Sequence, residues 1–155
     1  MSDIQRFNIR VYGLLVYEGK VLLSDEEMGN YAFTKFPGGG LEYGEGIADG
    51  LKREFQEELE AEIELTELFY INEFFQQSAF KKSDQLVSIY YRVSSLAMAE
   101  LLEYIEGGWH PVGLEHRIRF HWQEISSLNE EQLTFPIDKL VAQKLKTAFE
   151  TRPSL

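Results

Sequence analysis

The chain has 155 residues and an apolar share of 44%, which suits a single globular domain with a full hydrophobic core. It has no cysteine, which excludes disulfides, thiolate metal sites and thiol nucleophiles, and its formal charge of −11 opposes nucleic acid unless a basic patch intervenes. Lys81-Lys82 is a pair and not a patch, no long apolar run predicts a membrane span, and the opening MSDIQRFNIR lacks the basic-then-apolar order of a secretory signal. The expectation is a cytoplasmic protein that binds neither nucleic acid nor membrane.

Residues 7–17 are rich in Ile, Val, Leu and Tyr and predict a first strand. Glu18-Gly19 is a turn signal, and 20–24 predicts the returning strand. Residues 25–30 read as a polar connection and 31–36 as a short aromatic strand. Pro37-Gly38-Gly39-Gly40 predicts irregular backbone, because proline lacks a donor and glycine tolerates positive φ. Ile47, Leu51, Phe55 and Leu59 recur every four residues and predict a helix over 47–59 with one apolar stripe. Strands are predicted over 63–75, 86–93 and 117–125, with a loop over 109–113. A final helix is predicted from Asn129 toward Phe149, with Pro136 in its first turns. Strands and helices mixed in this way predict an α/β fold with helices on the faces of a mixed sheet, formed by one domain over 1–155.

The segment 38–61, GGGLEYGEGIADGLKREFQEELEA, holds seven acidic side chains between Glu42 and Glu60. On a helix Glu54, Glu57 and Glu58 fall at i, i+3 and i+4 and share one face, away from the stripe through Phe55 and Leu59. Like charges so placed destabilise an isolated helix by roughly 0.2–0.5 kcal/mol per pair, so a cation offsets a real cost. Oxygen donors suit Mg²⁺, Ca²⁺ or Mn²⁺ and not zinc, and Mg²⁺ is typically held by one or two carboxylates together with substrate phosphates and water. A solvated acidic helix face is the commoner explanation of such charges taken alone.

The spacing of this segment resembles the Nudix box, G-x5-E-x7-R-E-U-x-E-E-x-G-U. Gly39 matches the first glycine, Glu45 the first acid, Arg53-Glu54 the central pair, Phe55 the bulky position and Glu57-Glu58 the paired acid. Phe36-Pro37-Gly38 resembles the usual approach to the box. Glu60 stands where the family has its last glycine, with Ala61 after it, which puts the loop geometry there in question but touches no metal position.

The resemblance implies an α/β/α sandwich and hydrolysis of a nucleoside diphosphate linked to another moiety, with Mg²⁺ or Mn²⁺. It implies Glu57, Glu58 and Glu54 as metal ligands, with the Gly38 carbonyl as a further donor and Gly39 as a structural turn. Arg53 and Glu45 are implied to orient the glutamates, Arg53 counting among the catalytic set. The proton acceptor stays open between Glu54 and Glu115, with Glu103 and Glu106 behind them. Arg10, Tyr12, Phe33, Asn72 and Phe74 are candidates to face a base and equally candidates for ordinary packing. His110, His116 and His121 have no metal-ligand spacing, and Trp122 reads as core. The partner expected is a nucleotide-type small molecule, the sequence leaves room for a homodimer, and a nucleotide-binding module without turnover is the alternative reading.

Overall fold

The apolar run near the N-terminus becomes the central strand β1 (Arg6–Tyr17) in a computed structural model that describes residues 3–152. It is followed by β2 (Lys20–Met28), β3 (Tyr31–Lys35), β4 (Gly38–Gly40) and α1 (Ile47–Leu59). Then come β5 (Ile63–Ile71), β6 (Asp84–Ser95), α2 (Met98–Glu106), β7 (His110–Gly113) and β8 (His116–Glu124). Two short 3-10 turns, Ile125–Ser127 and Glu130–Gln132, lead into α3 (Pro136–Thr151). The sheet runs β5-β6-β1-β2-β8-β7, with β3 paired to β2 and β4 paired to β1. The pairing of β1 with β6 is parallel, from Arg6 opposite Asp84 to Leu15 opposite Val93, and the other pairings are antiparallel. The sheet is therefore mixed, with helices on both faces, as an α/β/α sandwich requires.

Alternation along β1 assigns its two faces. Val11 and Leu15 pack with Leu51, Phe55 and Leu59 of α1 and Leu101 of α2. Tyr12 and Leu14 pack with Ile137, Val141 and Leu145 of α3. Burial of each large apolar side chain is worth roughly 1.5–3 kcal/mol, several times the like-charge cost within α1, so packing decides that this acidic helix forms. The Phe55 ring lies so close over Gly13 that a Cβ there would sit 2.6 Å from it, which is why the centre of an apolar strand holds a glycine.

Four local expectations need correction. Residues 25–28 continue β2, because Asp25, Glu26 and Glu27 find cross-strand partners: Arg119 at 3.1 Å, His116 at 2.8 Å and Arg117 at 2.8 Å. Gly38–Gly40 is a strand, since its backbone pairs with Arg10, Val11 and Tyr12 of β1. His110–Gly113 is an edge strand on β8 and not a loop. The last helix begins at Pro136, because Phe135 ahead of the proline is extended, while Asn129 caps the 3-10 turn at Glu130–Gln132 instead. Helix α2 falls in a stretch to which the sequence reading assigned no element.

Candidate active site

The glycines preceding α1 are dictated by close approach. Gly38 has φ +144, and a Cβ on it would lie 2.1 Å from the Val11 carbonyl. A Cβ on Gly39 would lie 2.6 to 2.7 Å from the carboxylate atoms of Glu54. Gly38 thus lets β4 lie tight against β1, and Gly39 lets α1 lower Glu54 onto the backbone of β4. One turn further along, Glu58 enters the same cavity. Its Oε2 is buried without a hydrogen-bond partner. Burial pushes its carboxyl up to about 7 against the opposing pull of Lys35, with Glu54 and Glu26 adding to the rise.

Arg53 fixes the opposite side of this helix. Its guanidinium donates to both oxygens of Glu45, at 2.9 and 2.7 Å, and to the Gly40 carbonyl at 3.0 Å. It also reaches Glu54 at 3.1 Å and Glu57 at 3.2 Å. The Glu45 carboxylate in turn accepts the Glu42 N–H at 2.9 Å, so the loop ahead of α1 is closed upon the helix. Hydrogen bonds from Arg53 hold Glu45 at about 2, well below the usual carboxylate range.

The cavity beside Glu54 and Glu58 has a volume of about 500 Å³. Its floor is the face of β1 and β6 that carries Arg10, Tyr12, Ser88 and Tyr90. Arg10 Nε donates to the Tyr12 hydroxyl at 2.6 Å, and the Tyr12 and Tyr90 rings stack at 5.0 Å. The Tyr90 hydroxyl donates to Asp138 at 2.5 Å. Burial raises the Asp138 carboxyl to about 6, against that bond and the charges of Lys35 and Arg10. Part of the lining is aromatic: Phe33, Phe80 and Phe135, from three separate segments, meet with centroids 5.5 to 5.6 Å apart. The cavity therefore combines carboxylates, a cationic and phenolic floor, and an aromatic cluster.

The structure gathers only part of the expected set. Gly38, Gly39, Glu54 and Glu58 line the cavity, together with Arg10, Tyr12 and Phe33. Glu57 does not: its side chain is 59% exposed and turned to Arg53. The helix face anticipated as shared is split, with Glu54 and Glu58 toward the cavity and Glu57 at the rim. Glu115 is exposed at the β7–β8 turn in a left-handed conformation, with its carbonyl accepting the Gly29 N–H, and is not among the cavity residues. Glu103 and Glu106 are exposed on α2, which packs on the other face of the sheet, so neither joins the cavity. Asn72 is a clip, bonded to the Phe74 and Leu86 carbonyls and the Ser88 N–H, and Phe74 is exposed outside the cavity. His110 stacks on Tyr104 at 4.0 Å, His121 pairs with Asp25 at 3.2 Å, and Trp122 packs on the core as expected.

Among the charged residues of the cavity that the sequence did not single out are Glu26, Lys35 and Asp138. Lys35 carried a usable signal. It alternates with buried Phe33 on β3, which places a lysine at a core position.

The donors fit a hard divalent cation chemically. They are all oxygen, the Glu58 Oε2 is buried without a partner, and Gly39 leaves room for the neighbouring Glu54 carboxylate. Among the described residues, no three His, Asp or Glu side chains stand together as a metal cluster. A cation held by two carboxylates needs the remaining positions filled by backbone carbonyl, water or substrate phosphate.

The NUDIX domain family model matches residues 6–143. The chain belongs to the NUDIX domain family. No curated protein matches its sequence. Solved structures share the fold at low identity. A NUDIX hydrolase from Nitrosomonas europaea superposes with a TM-score of 0.65 at 19% identity, covering 91% of this chain and 88% of that one. The E. coli ORF135 protein gives 0.65 at 20% identity, covering 97% and 96%. An ADP-ribose pyrophosphatase from Streptococcus suis gives 0.58 at 15%, covering 93% and 90%. In this NUDIX chain Glu60, which replaces the family glycine, adopts the left-handed conformation that a glycine would take, with φ 52 and ψ 34. The left-handed cap of α1 forms with glutamate in that position. Among the described residues no helix is long and apolar enough to cross a membrane.

Proposed function

We propose that this NUDIX domain hydrolyses the diphosphate linkage of a nucleoside diphosphate joined to another moiety, with Mg²⁺ or Mn²⁺ as cofactor, and that residues 1–155 act as one catalytic domain. The observation that carries this reading is the make-up of one cavity: Glu54 and Glu58 beside the Gly38–Gly40 backbone, together with the cluster of Phe33, Phe80 and Phe135. A diphosphate suits the carboxylates once a cation offsets them, and a flat base suits the aromatic cluster.

Glu54, Glu58 and the Gly38 carbonyl are the proposed metal donors, with Glu57 at the rim able to contribute from the Arg53 side. A bound divalent cation supplies neutralisation of phosphoryl oxygens and a more acidic water. The chain does the rest. Glu54 is the acid placed to take a proton from water, since Glu115 lies outside the cavity. Arg53 holds Glu45, Gly40 and Glu54 in one frame, which preserves the orientation of the acids. Arg10 presents positive charge from the floor, where the substrate's phosphates need it. The aromatic cluster offers apolar contact to the base.

The neighbours named for ADP-ribose pyrophosphatase and MutT share the fold at 15% and 21% identity, so they do not choose the substrate. The test is a hydrolysis screen of the purified chain with Mg²⁺ and with Mn²⁺. The panel holds nucleoside triphosphates, nucleotide sugars, ADP-ribose and dinucleoside polyphosphates, and both products are identified. Cleavage at a diphosphate linkage supports the reading. Tight nucleotide binding with no product from any member of the panel favours a binding module and contradicts it.

A further inference from the structure

Lys35 is a lysine in a place that lysines avoid. Only 6% of it is exposed, and it lies in the wall of the cavity at the end of β3. Burial of an ammonium requires partners for its charge and its donors. The structure supplies both. Nζ donates to the Gly38 carbonyl at 3.0 Å and to the Phe36 carbonyl at 3.4 Å, and it lies 3.4 Å from Glu26 Oε2. Glu26 is 7% exposed, and its other oxygen meets His116 Nε2 at 2.8 Å. Glu58 is close enough to interact with the same ammonium.

Two features of this arrangement are unexpected for a lysine that merely completes a core. The carbonyl it bonds is the one proposed as a metal donor, and Glu58, whose charge it feels, is one of the proposed metal acids. A carbonyl oxygen has two lone pairs, so Gly38 can accept from Lys35 and still face a cation. A divalent cation held by that carbonyl would share the oxygen with the ammonium, and in a region of low dielectric the repulsion between the two charges would be strong.

We infer that Lys35 is the resident cation of this site: a positioning residue that holds the Gly38 carbonyl, balances Glu26 and Glu58 in the metal-free chain, and weakens divalent binding by its charge. The inference rests on the metal reading of Glu54, Glu58 and Gly38. Lys35 thereby separates two properties that an acidic site usually couples. Without it, the metal-free fold carries uncompensated buried carboxylates, and the cation binds more tightly because it alone must neutralise them. With it, the chain is stable before the metal arrives, and the metal remains exchangeable.

The test is calorimetric titration of the intact chain with Mn²⁺ alone, together with thermal melting in chelator and in excess Mn²⁺. Four proteins are compared: wild type, Lys35→Met, Lys35→Arg and Glu26→Gln. Lys35→Met is expected to bind Mn²⁺ roughly tenfold more tightly, as removal of a nearby like charge requires, and to melt below wild type in chelator but recover in Mn²⁺. Lys35→Arg, which keeps the charge, is expected to retain the wild-type affinity within about twofold. Glu26→Gln, which leaves the ammonium less compensated, is expected to bind Mn²⁺ more weakly. A folded Lys35→Met protein with unchanged or weaker affinity overturns the inference. Should Lys35→Met not fold, Glu26→Gln decides, and unchanged or tighter binding there overturns it. Failure of the wild type to take up Mn²⁺ removes the metal reading and this inference with it, whereas uptake by wild type with no gain in Lys35→Met removes the inference alone.

Discussion

Arg53 grips Glu45 with two parallel bonds, Nε to Oε2 at 2.9 Å and Nη2 to Oε1 at 2.7 Å, and so ties the loop ahead of α1 to the middle of the helix. The fork depends on guanidinium shape as much as charge. Lys keeps the charge and loses the second prong, the bond to Gly40 and the reach to Glu54. Arg53→Lys is therefore expected to lower kcat about 10- to 100-fold, the usual cost of losing a group that orients ligands, while circular dichroism stays as in wild type. Steady-state kinetics on whichever substrate the screen identifies measures this. Wild-type kcat in Arg53→Lys means that charge alone suffices.

The left-handed Glu60 predicts a stabilising substitution. A residue with a Cβ in that region costs roughly 1–2 kcal/mol relative to its favoured conformation, a cost that glycine escapes. The backbone bonds of the cap, Glu60 N–H to the Gln56 carbonyl at 3.1 Å and Ala61 N–H to the Phe55 carbonyl at 3.3 Å, do not involve the side chain. Glu60→Gly is expected to raise stability by about 1 kcal/mol after the unfolded-chain entropy of glycine is counted. In a thermal melt this is a rise of about 2–4 °C. A lower Tm contradicts the assignment of strain to Glu60.

Buried Asp138 makes the metal-free chain pH-dependent in a definite direction. Its folded value of about 6 lies above the usual 3.8, so the protonated form favours folding. The contribution is complete below the unfolded value and is lost as pH rises through about 6. Asn at 138 keeps an acceptor for the Tyr90 hydroxyl and has no proton to lose. Relative to wild type, Asp138→Asn is expected to gain stability between pH 4 and pH 7, by on the order of 2–3 kcal/mol. Urea unfolding of both proteins in chelator at these two pH values measures it. A difference that does not change with pH places the Asp138 titration outside that window.

The box and its helix were legible in the sequence because they are local. Ile47, Leu51, Phe55 and Leu59 show the stripe directly, and α1 runs over the residues that the stripe predicts. What escaped depends on strand register. Asp25, Glu26 and Glu27 look like a polar connection until β8 supplies Arg119, His116 and Arg117 as their charged partners. Three consecutive glycines suggest irregular backbone until Arg10, Val11 and Tyr12 pair with them. Glu57 and Glu58 are neighbours in sequence, yet Arg53 draws one to the rim while the cavity takes the other. Lys35 and Asp138 are distant in sequence and meet through their charges around Tyr12 and Tyr90, a relationship that no local pattern contains.

The central claim is that Glu58 helps to hold the cation that activates diphosphate hydrolysis. Glu58→Gln keeps the side-chain volume and removes the charge. Its Mn²⁺-dependent turnover, compared with wild type on the substrate from the screen, tests the claim most directly. The account predicts a loss of at least about 100-fold in kcat, a weaker response to Mn²⁺ concentration, and a folded protein by circular dichroism. Wild-type kcat with an unchanged Mn²⁺ dependence in Glu58→Gln would contradict it.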